Sequence, residues 1–190
     1  MAKTTKAENE REKVFREATG HLDHLYRVAF HLAKEPDDAQ DLVQETYLRA
    51  MNGYEQFTPG TNMKAWLTRI LYNLFFDHYH HKKRWISVAD GYVGQKEELN
   101  YWEMVLTGNS GPEGHTLTSE LNGKIEEALR KLSEDFRAAI VLVDMAEFSY
   151  ADAAEILSCP IGTIRSRISR GRKLLHKYLK DYVGAKQKTQ

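Results

Sequence analysis

Arg165, Ser166, Arg167, Ser169, Arg170, Arg172, Lys173 and Lys177 crowd one short stretch near the C-terminus. A guanidinium is planar, permanently charged and carries its donors in a fork that fits phosphate oxygens or the edge of a guanine. Acids are nearly absent around them. From Ile161 to Gln190 these bases, with Lys180, Lys186 and Lys188, face Asp181 alone. A merely solvated helix face mixes both signs and gains i,i+4 pairs, which this one forgoes. The chemistry that fits is binding to a polyanion, with some side chains free to reach base edges.

A second stretch, NMKAWLTRILYNLFFDHYHHKKRW, interleaves Trp66, Tyr72, Phe75, Phe76, Tyr79 and Trp85 with Arg69, Lys82, Lys83 and Arg84. Aromatic rings stack on unpaired bases while neighbouring cations hold the backbone phosphates, so the mixture suits a single strand. The plainer reading makes the aromatics core and the bases solvated ends, and the residue pattern alone leaves both open. Helical spacing puts Arg69, Asn73, Phe76, His80 and Lys83 along one face, and Leu67, Ile70, Leu71 and Leu74 along a core face.

Metal or covalent chemistry finds less support. His78, His80 and His81, or His21, Asp23 and His24, invite a metal ion. No acid or cysteine cluster completes a ligand set at a recognisable spacing. No metal or other cofactor is expected. Cys159 is the single cysteine, which excludes an internal disulfide; beside Pro160 it reads as a small packed thiol more than as a redox switch.

These stretches need helices to position them. Ser149 and Asp152 form a capping-box pattern that starts a helix at about Tyr150. Pro160 and Gly162 break the chain into a tight turn, and a second helix opens near Thr163. Its buried stripe runs Ile164, Ile168, Gly171, Leu175 and Tyr178. Glycine in a helix costs about 1 kcal/mol, so another helix is expected to approach closely at Gly171. Upstream, Leu121, Ile125, Ala128, Leu129 and Leu132 mark one amphipathic helix; Ser133 is placed to cap the next, with Phe136, Ile140 and Val143 inward.

In the N-terminal half, Val14, Ala18, Leu22, Leu25, Ala29 and Leu32 line a first long helix that Gly20 can interrupt. Pro36, Asp37 and Asp38 open the next, with proline in the first turn and acids at the positive dipole end. It buries Ala39, Leu42, Val43, Thr46 and Ala50, shows Asp38, Asp41, Gln44, Glu45 and Arg49, and stops at Gly53. Between the halves helical periodicity fades and GNSGPEG reads as a flexible linker. The expected fold is all-α: two small helical domains, 8–85 and 119–183, joined by a linker over 86–118, with a helix-turn-helix in the second.

The 190 residues carry 27 basic and 27 acidic side chains, a net charge of zero. The charge is nonetheless segregated. Glu35, Asp37, Asp38, Asp41, Glu45 and Glu55 oppose Arg49, whereas Lys64, Arg69, Lys82, Lys83 and Arg84 oppose Asp77. Blocks of opposite sign imply one surface for nucleic acid and another for a protein. No apolar run approaches the roughly 20 residues of a membrane span, and the first residues form no secretory segment. A cytoplasmic protein without membrane insertion is expected.

Three segments together resemble the extracytoplasmic-function group of bacterial RNA polymerase sigma factors, within the sigma-70 family: DDAQDLVQETYLRAMNGYEQF, GTNMKAWLTRILYNLFFDHYHHKKR and LRKLSEDFRAAIVLVDMAEFSYADAAEILSCPIGTIRSRISRGRKLL. The resemblance spans nearly the whole chain and implies the family's regions 2 and 4. It implies that Asp41, Gln44, Glu45 and Arg49 contact core polymerase. It implies that Thr61, Asn62, Trp66, Arg69, Asn73, Phe76, Lys82, Lys83 and Arg84 serve the minus-ten element, Asn73 beside a flipped base and the cations on phosphates. The minus-thirty-five element would be met by Thr163, Arg165, Ser166, Ser169 and Arg170, with Arg167 and Arg172 on phosphates. The partners so implied are core RNA polymerase, promoter DNA as duplex and melted strand, and an anti-sigma factor. GTNMKAWL and CPIGTIRSRISRGRKLL resemble members that answer thiol-oxidative stress through a zinc-containing anti-sigma protein. The role is a promoter-specificity subunit, not an enzyme. The competing role is a stand-alone helix-turn-helix repressor, which explains residues 149–178 but leaves the aromatic-basic and acidic helices unused.

Overall fold

The computed structural model describes residues 2–86 and 115–186, with side chains described at positions 9, 11–78 and 121–180. The linker expected over 86–118 lies almost wholly outside them. The first region holds α1 (Ala2–Thr19), α2 (Leu22–Ala33), α3 (Pro36–Asn52), a short 3-10 turn (Tyr54–Gln56) and α4 (Met63–Ile86). The second holds α5 (His115–Arg130), α6 (Glu134–Ile140), a wide π-type turn (Val141–Met145), α7 (Tyr150–Ile156) and α8 (Ile161–Lys186). No strand occurs among the described residues.

Gly20 and His21 separate α1 from α2, where the sequence allowed one long helix. Leu22, the first residue of α2, is half exposed, contrary to its expected place in the core. The remaining stripe residues Val14, Ala18, Leu25, Ala29 and Leu32 are buried. Pro36 opens α3 with Asp37 and Asp38 in its first turn, and Ala39, Leu42, Val43, Thr46 and Ala50 are all buried. The Thr46 hydroxyl donates to the Leu42 carbonyl at 2.6 Å, and the Tyr47 hydroxyl donates to the Ala18 carbonyl at 2.8 Å, tying α3 to α1. Burial raises the Tyr47 hydroxyl pKa. Leu67, Leu71 and Leu74 of α4 are fully buried, and Tyr72 and Phe75 join them in the core. For those two rings the plainer reading of the aromatic helix holds.

In the second region Ala128, Leu129 and Leu132 are buried, whereas Leu121 is exposed. Ser133 occupies the N-cap of α6 but makes no side-chain capping bond, so the expected cap is positional only. Ser149 does cap α7. Its Oγ accepts from the Asp152 amide at 3.1 Å, and the Ser149 amide donates to Asp152 Oδ2 at 3.3 Å, the reciprocal pair of a capping box.

Buried side chains of both regions run together in one cluster, and the regions pack directly on each other: α2 against α6 and the π-type turn, α4 against α7. At this junction the His24 ring meets Phe148 edge-on, with centroids 5.6 Å apart, and its Nε2 lies 3.1 Å from Thr68 Oγ1. Burial, reinforced by the charges of Lys64, Arg27 and His21, lowers its pKa from 6.5 to about 4. A base with a depressed folded-state pKa takes up its proton more readily when unfolded. Stability is therefore complete above pH 6.5 and falls as pH drops from 6.5 toward 4. Melting temperatures measured across this window are expected to decline in the wild type, and His24→Gln is expected to flatten that decline. Parallel curves for the two proteins would refute the assignment.

Candidate nucleic-acid and polymerase surfaces

The helix-turn-helix is built from α7, a bend and α8. Pro160 stands just outside α8, and its carbonyl accepts from the amides of Thr163 and Ile164 at 2.8 and 3.3 Å. The unusual dihedral of the bend belongs to Ser158, whose φ is 48°, and not to Gly162. Gly162 lies within the first turn of α8, one residue after a start slightly earlier than the sequence suggested. Ile164 and Ile168 are buried, and Leu175 and Tyr178 half-buried, as the stripe required. A Cβ on Gly171 would meet Ile140 Cγ1 at 3.0 Å, so the close approach expected there is to α6.

That anchoring sorts the expected duplex-reading residues into two groups. Arg165, Ser166, Ser169 and Arg170 are exposed on the outer face of α8, with Thr163 half-buried at its start. The Ser166 hydroxyl donates to the Thr163 carbonyl at 2.9 Å, one turn back. Arg167 and Arg172 are instead engaged by acids. Arg167 Nη2 lies 2.7 Å from Asp135 Oδ1, and its Nη1 is 3.9 Å from Cys159 Sγ. Arg172 makes a two-pronged pair with Asp144, Nε to Oδ2 at 3.0 Å and Nη2 to Oδ1 at 2.6 Å. Asp135 and Asp144 were not legible as partners, because nothing in local spacing connects them to α8.

On the first region, Arg69, Asn73 and Phe76 are exposed together along α4. Thr61 and Asn62 are occupied locally. The Thr61 hydroxyl donates to the Thr58 carbonyl at 2.7 Å, next to Gly60 with φ of 88°, and Asn62 Oδ1 accepts from the Ala65 amide at 3.1 Å, capping α4. Trp66 is half-buried, its ring centroid 5.2 Å from that of Phe57, so the loop preceding α4 is pinned to the helix. Burial, with the charges of Glu134 and Asp135, raises the neighbouring Tyr72 hydroxyl to about 12. The side chains of Lys82, Lys83 and Arg84 lie outside the described residues, as do those of His80 and His81. Among the described residues no group of His, Cys, Asp and Glu is gathered to hold a metal ion.

Asp41 and Gln44 are exposed on α3, and Glu45 accepts from Arg49 Nε at 3.1 Å one turn on. Leu48, 61% exposed, continues the same face. The sequence reading passed over it, although its spacing from Asp41, Gln44 and Glu45 is helical. Three faces therefore emerge: a polar one with an apolar end on α3, an aromatic-basic one on α4 and a basic one on α8.

Comparison with known proteins joins them. Residues 18–85 match the model of sigma-70 region 2, and residues 122–175 that of sigma-70 region 4. The ECF RNA polymerase sigma factor EcfG of Rhodopseudomonas palustris is 40% identical over 151 residues, covering 80% of this chain and 76% of that one. The ECF sigma factor SigW of Bacillus subtilis is 31% identical over 161 residues, covering 85% and 86%. Among solved structures, the sigma factor RpoE bound to the anti-sigma factor NepR from Bartonella quintana superposes with a TM-score of 0.71 at 34% identity, covering 87% of this chain and 95% of that one. CnrH, solved with the cytosolic domain of CnrY, shares the fold at 20% identity, with a TM-score of 0.62 and coverage of 90% and 96%. Two region models in order, together with relatives at this identity and coverage, establish that the chain belongs to the extracytoplasmic-function sigma factors of the sigma-70 family.

Proposed function

We propose that this chain binds bacterial core RNA polymerase in the cytoplasm, directs it to promoters and captures the melted minus-ten strand, with no covalent chemistry of its own. Residues 8–85 act as region 2 and residues 119–183 as region 4, joined through 86–118. The observation that supports the reading is a pair of separate exposed faces carrying bases, on α4 and α8, in one chain that also shows a polar face on α3. A repressor needs only the α8 face, and family membership removes the reason to prefer it.

In this reading Asp41, Gln44, Glu45 and Arg49 dock on polymerase, and Leu48 adds an apolar contact beside them. Asn73 supports an unstacked base, with Phe76, whose ring centroid lies 6.3 Å from that of Tyr72, stacking on the strand and Arg69, Lys82, Lys83 and Arg84 on phosphates. Thr61, Asn62 and Trp66 shape the preceding loop where that base would sit. Arg165, Ser166, Ser169 and Arg170 meet the upstream duplex, Arg165 and Arg170 being the exposed guanidiniums best placed for base edges. Arg167 and Arg172 reach phosphates only by sharing their donors with Asp135 and Asp144. Their first task is to fix the roll of α8, and Thr163 starts that helix. An anti-sigma protein restrains the factor, as NepR binds RpoE in the solved relative.

Run-off transcription with purified core polymerase on a genomic library tests the function. New discrete transcripts that depend on this chain are expected. Their absence, with tight binding of the chain alone to duplex DNA, would favour the repressor. Arg165→Ala is expected to cost about 1–3 kcal/mol, roughly 5–150-fold in promoter use, on the native upstream element only. An equal loss on a scrambled element would exclude base reading. Asn73→Ala is expected to leave polymerase binding intact while lowering open-complex formation roughly tenfold, read by permanganate reactivity of the melted strand, since base flipping costs a few kcal/mol. Loss of polymerase binding in that variant would place Asn73 in the wrong surface.

A further inference from the structure

Arg165, Arg170, Lys173 and Lys177 stand exposed along α8. Arg172 belongs with them by position. It follows Arg165 by seven residues, which on an α-helix is about 20° short of two full turns and about 10.5 Å further along the axis. Arg167 lies about 160° away from Arg165, half-buried and paired with Asp135. Arg172 is therefore on the side of α8 that carries Arg165, and its side chain is 56% exposed. Its charge is nonetheless cancelled there. Asp144 accepts from both prongs of the guanidinium, from Nε at 3.0 Å and from Nη2 at 2.6 Å.

The backbone holds Asp144 in place. It belongs to the π-type turn, whose Val141 and Leu142 are buried, and the Ala146 amide closes that turn on the Val141 carbonyl at 2.9 Å. A short side chain on a pinned turn leaves the carboxylate little freedom to part from Arg172. The pair steadies the roll of α8, but Ile164, Ile168 and Gly171 already seat that helix, so the carboxylate has a second effect. A guanidinium fork that fits a carboxylate fits a phosphate equally well. Unmasked, Arg172 would hold any duplex backbone it met, because each phosphate neutralised by a cation strengthens binding through counterion release whatever the sequence. The carboxylate withdraws that contact and repels phosphates beside it.

We propose that Asp144 is a selectivity residue: by neutralising Arg172 on the side of α8 that carries Arg165, it suppresses attachment to DNA of arbitrary sequence and leaves stable binding to depend on the base contacts of Arg165 and Arg170. The role rests on the function given above only in taking α8 as the helix that meets duplex. Arg172 turns to a phosphate when base contacts elsewhere hold the helix close enough for one to displace the carboxylate.

A double-mutant cycle in the full-length chain tests the role. Wild type, Asp144→Asn, Arg172→Gln and the double variant are titrated against a labelled duplex of scrambled sequence, with anisotropy read across a range of salt. Asp144→Asn is expected to bind roughly threefold or more tighter than wild type, most at low salt. It is also expected to steepen the dependence of log affinity on log salt by about 0.9, the increment for one further phosphate. Arg172→Gln is expected to remove about that much slope in the Asp144→Asn background and much less when Asp144 is present. Weaker binding by Asp144→Asn with an unchanged slope would make Asp144 a stay for the helix alone and overturn the selectivity role. Equal losses from Arg172→Gln in both backgrounds, or no binding by Asp144→Asn at the lowest salt, would overturn it as well. A partly exposed pair contributes little to stability, so the variants are expected to fold, as melting temperatures would verify. Asp144→Ser repeats the loss of charge should the asparagine variant not fold. No polymerase enters the titration. Failure of run-off transcription would therefore remove the sigma reading and leave the result on Asp144 standing.

Discussion

The approach of α8 to α6 at Gly171 is the constraint on which the upstream-reading surface depends. With Ile140 Cγ1 only 3.0 Å from where a Cβ would stand, any larger residue must push the two helices apart or displace Ile140. Overpacking of that kind costs typically about 1–3 kcal/mol, more than the roughly 1 kcal/mol of helix propensity that alanine would return. Ile164 and Ile168 continue the contact toward the helix start, fixing depth as well as rotation. Arg172 on Asp144 and Arg167 on Asp135 then act as stays on either side of the buried stripe. Both pairs are partly exposed, so each contributes direction more than stability. What remains facing outward, Arg165, Ser166, Ser169 and Arg170, is the set free of this task.

The same economy of charge explains a neutral chain that handles a polyanion. Bases outnumber acids along α4 and α8, and acids outnumber bases along α3, whose first-turn Asp37 and Asp38 complement the dipole. Within the second region, acids also hold selected arginines in place. A high net charge would raise association with any DNA through counterion release, without regard to sequence. Segregation without excess limits such binding.

Much of this was legible in the sequence, for identifiable reasons. Ala39, Leu42, Val43, Thr46 and Ala50, or Ile164, Ile168 and Gly171, repeat at helical spacing, and burial follows spacing wherever a helix packs on one side. The Ser149 capping box was readable because both partners lie within one turn. Leu22 departs from the stripe because it is the first residue of α2, at the break after Gly20 and His21, while Leu25, Ala29 and Leu32 keep the expected phase. The turn before α8 was legible from Pro160 and Gly162, but its positive φ lies at Ser158, a residue whose type gives no such signal. The partners Asp135 and Asp144, and the whole contact between regions, were invisible. They join residues far apart in sequence, and no periodicity encodes them.

The chemistry of that contact decides what kind of junction it is. An interface meant to be permanent is dominated by apolar burial. Here Phe148, Val141 and Leu142 supply apolar area, but the crossing contacts are ammonium to carbonyl, ammonium over a ring, and imidazole beside carboxylate. Lys34 and Lys64 lose little on opening, because water replaces a carbonyl acceptor at nearly equal strength. His31 and Glu126 behave differently. Removing either partner leaves the other without this buried contact, a loss of about 1–3 kcal/mol. A junction made this way has a defined geometry, in which directional polar contacts fix how one buried apolar cluster is shared between the two regions.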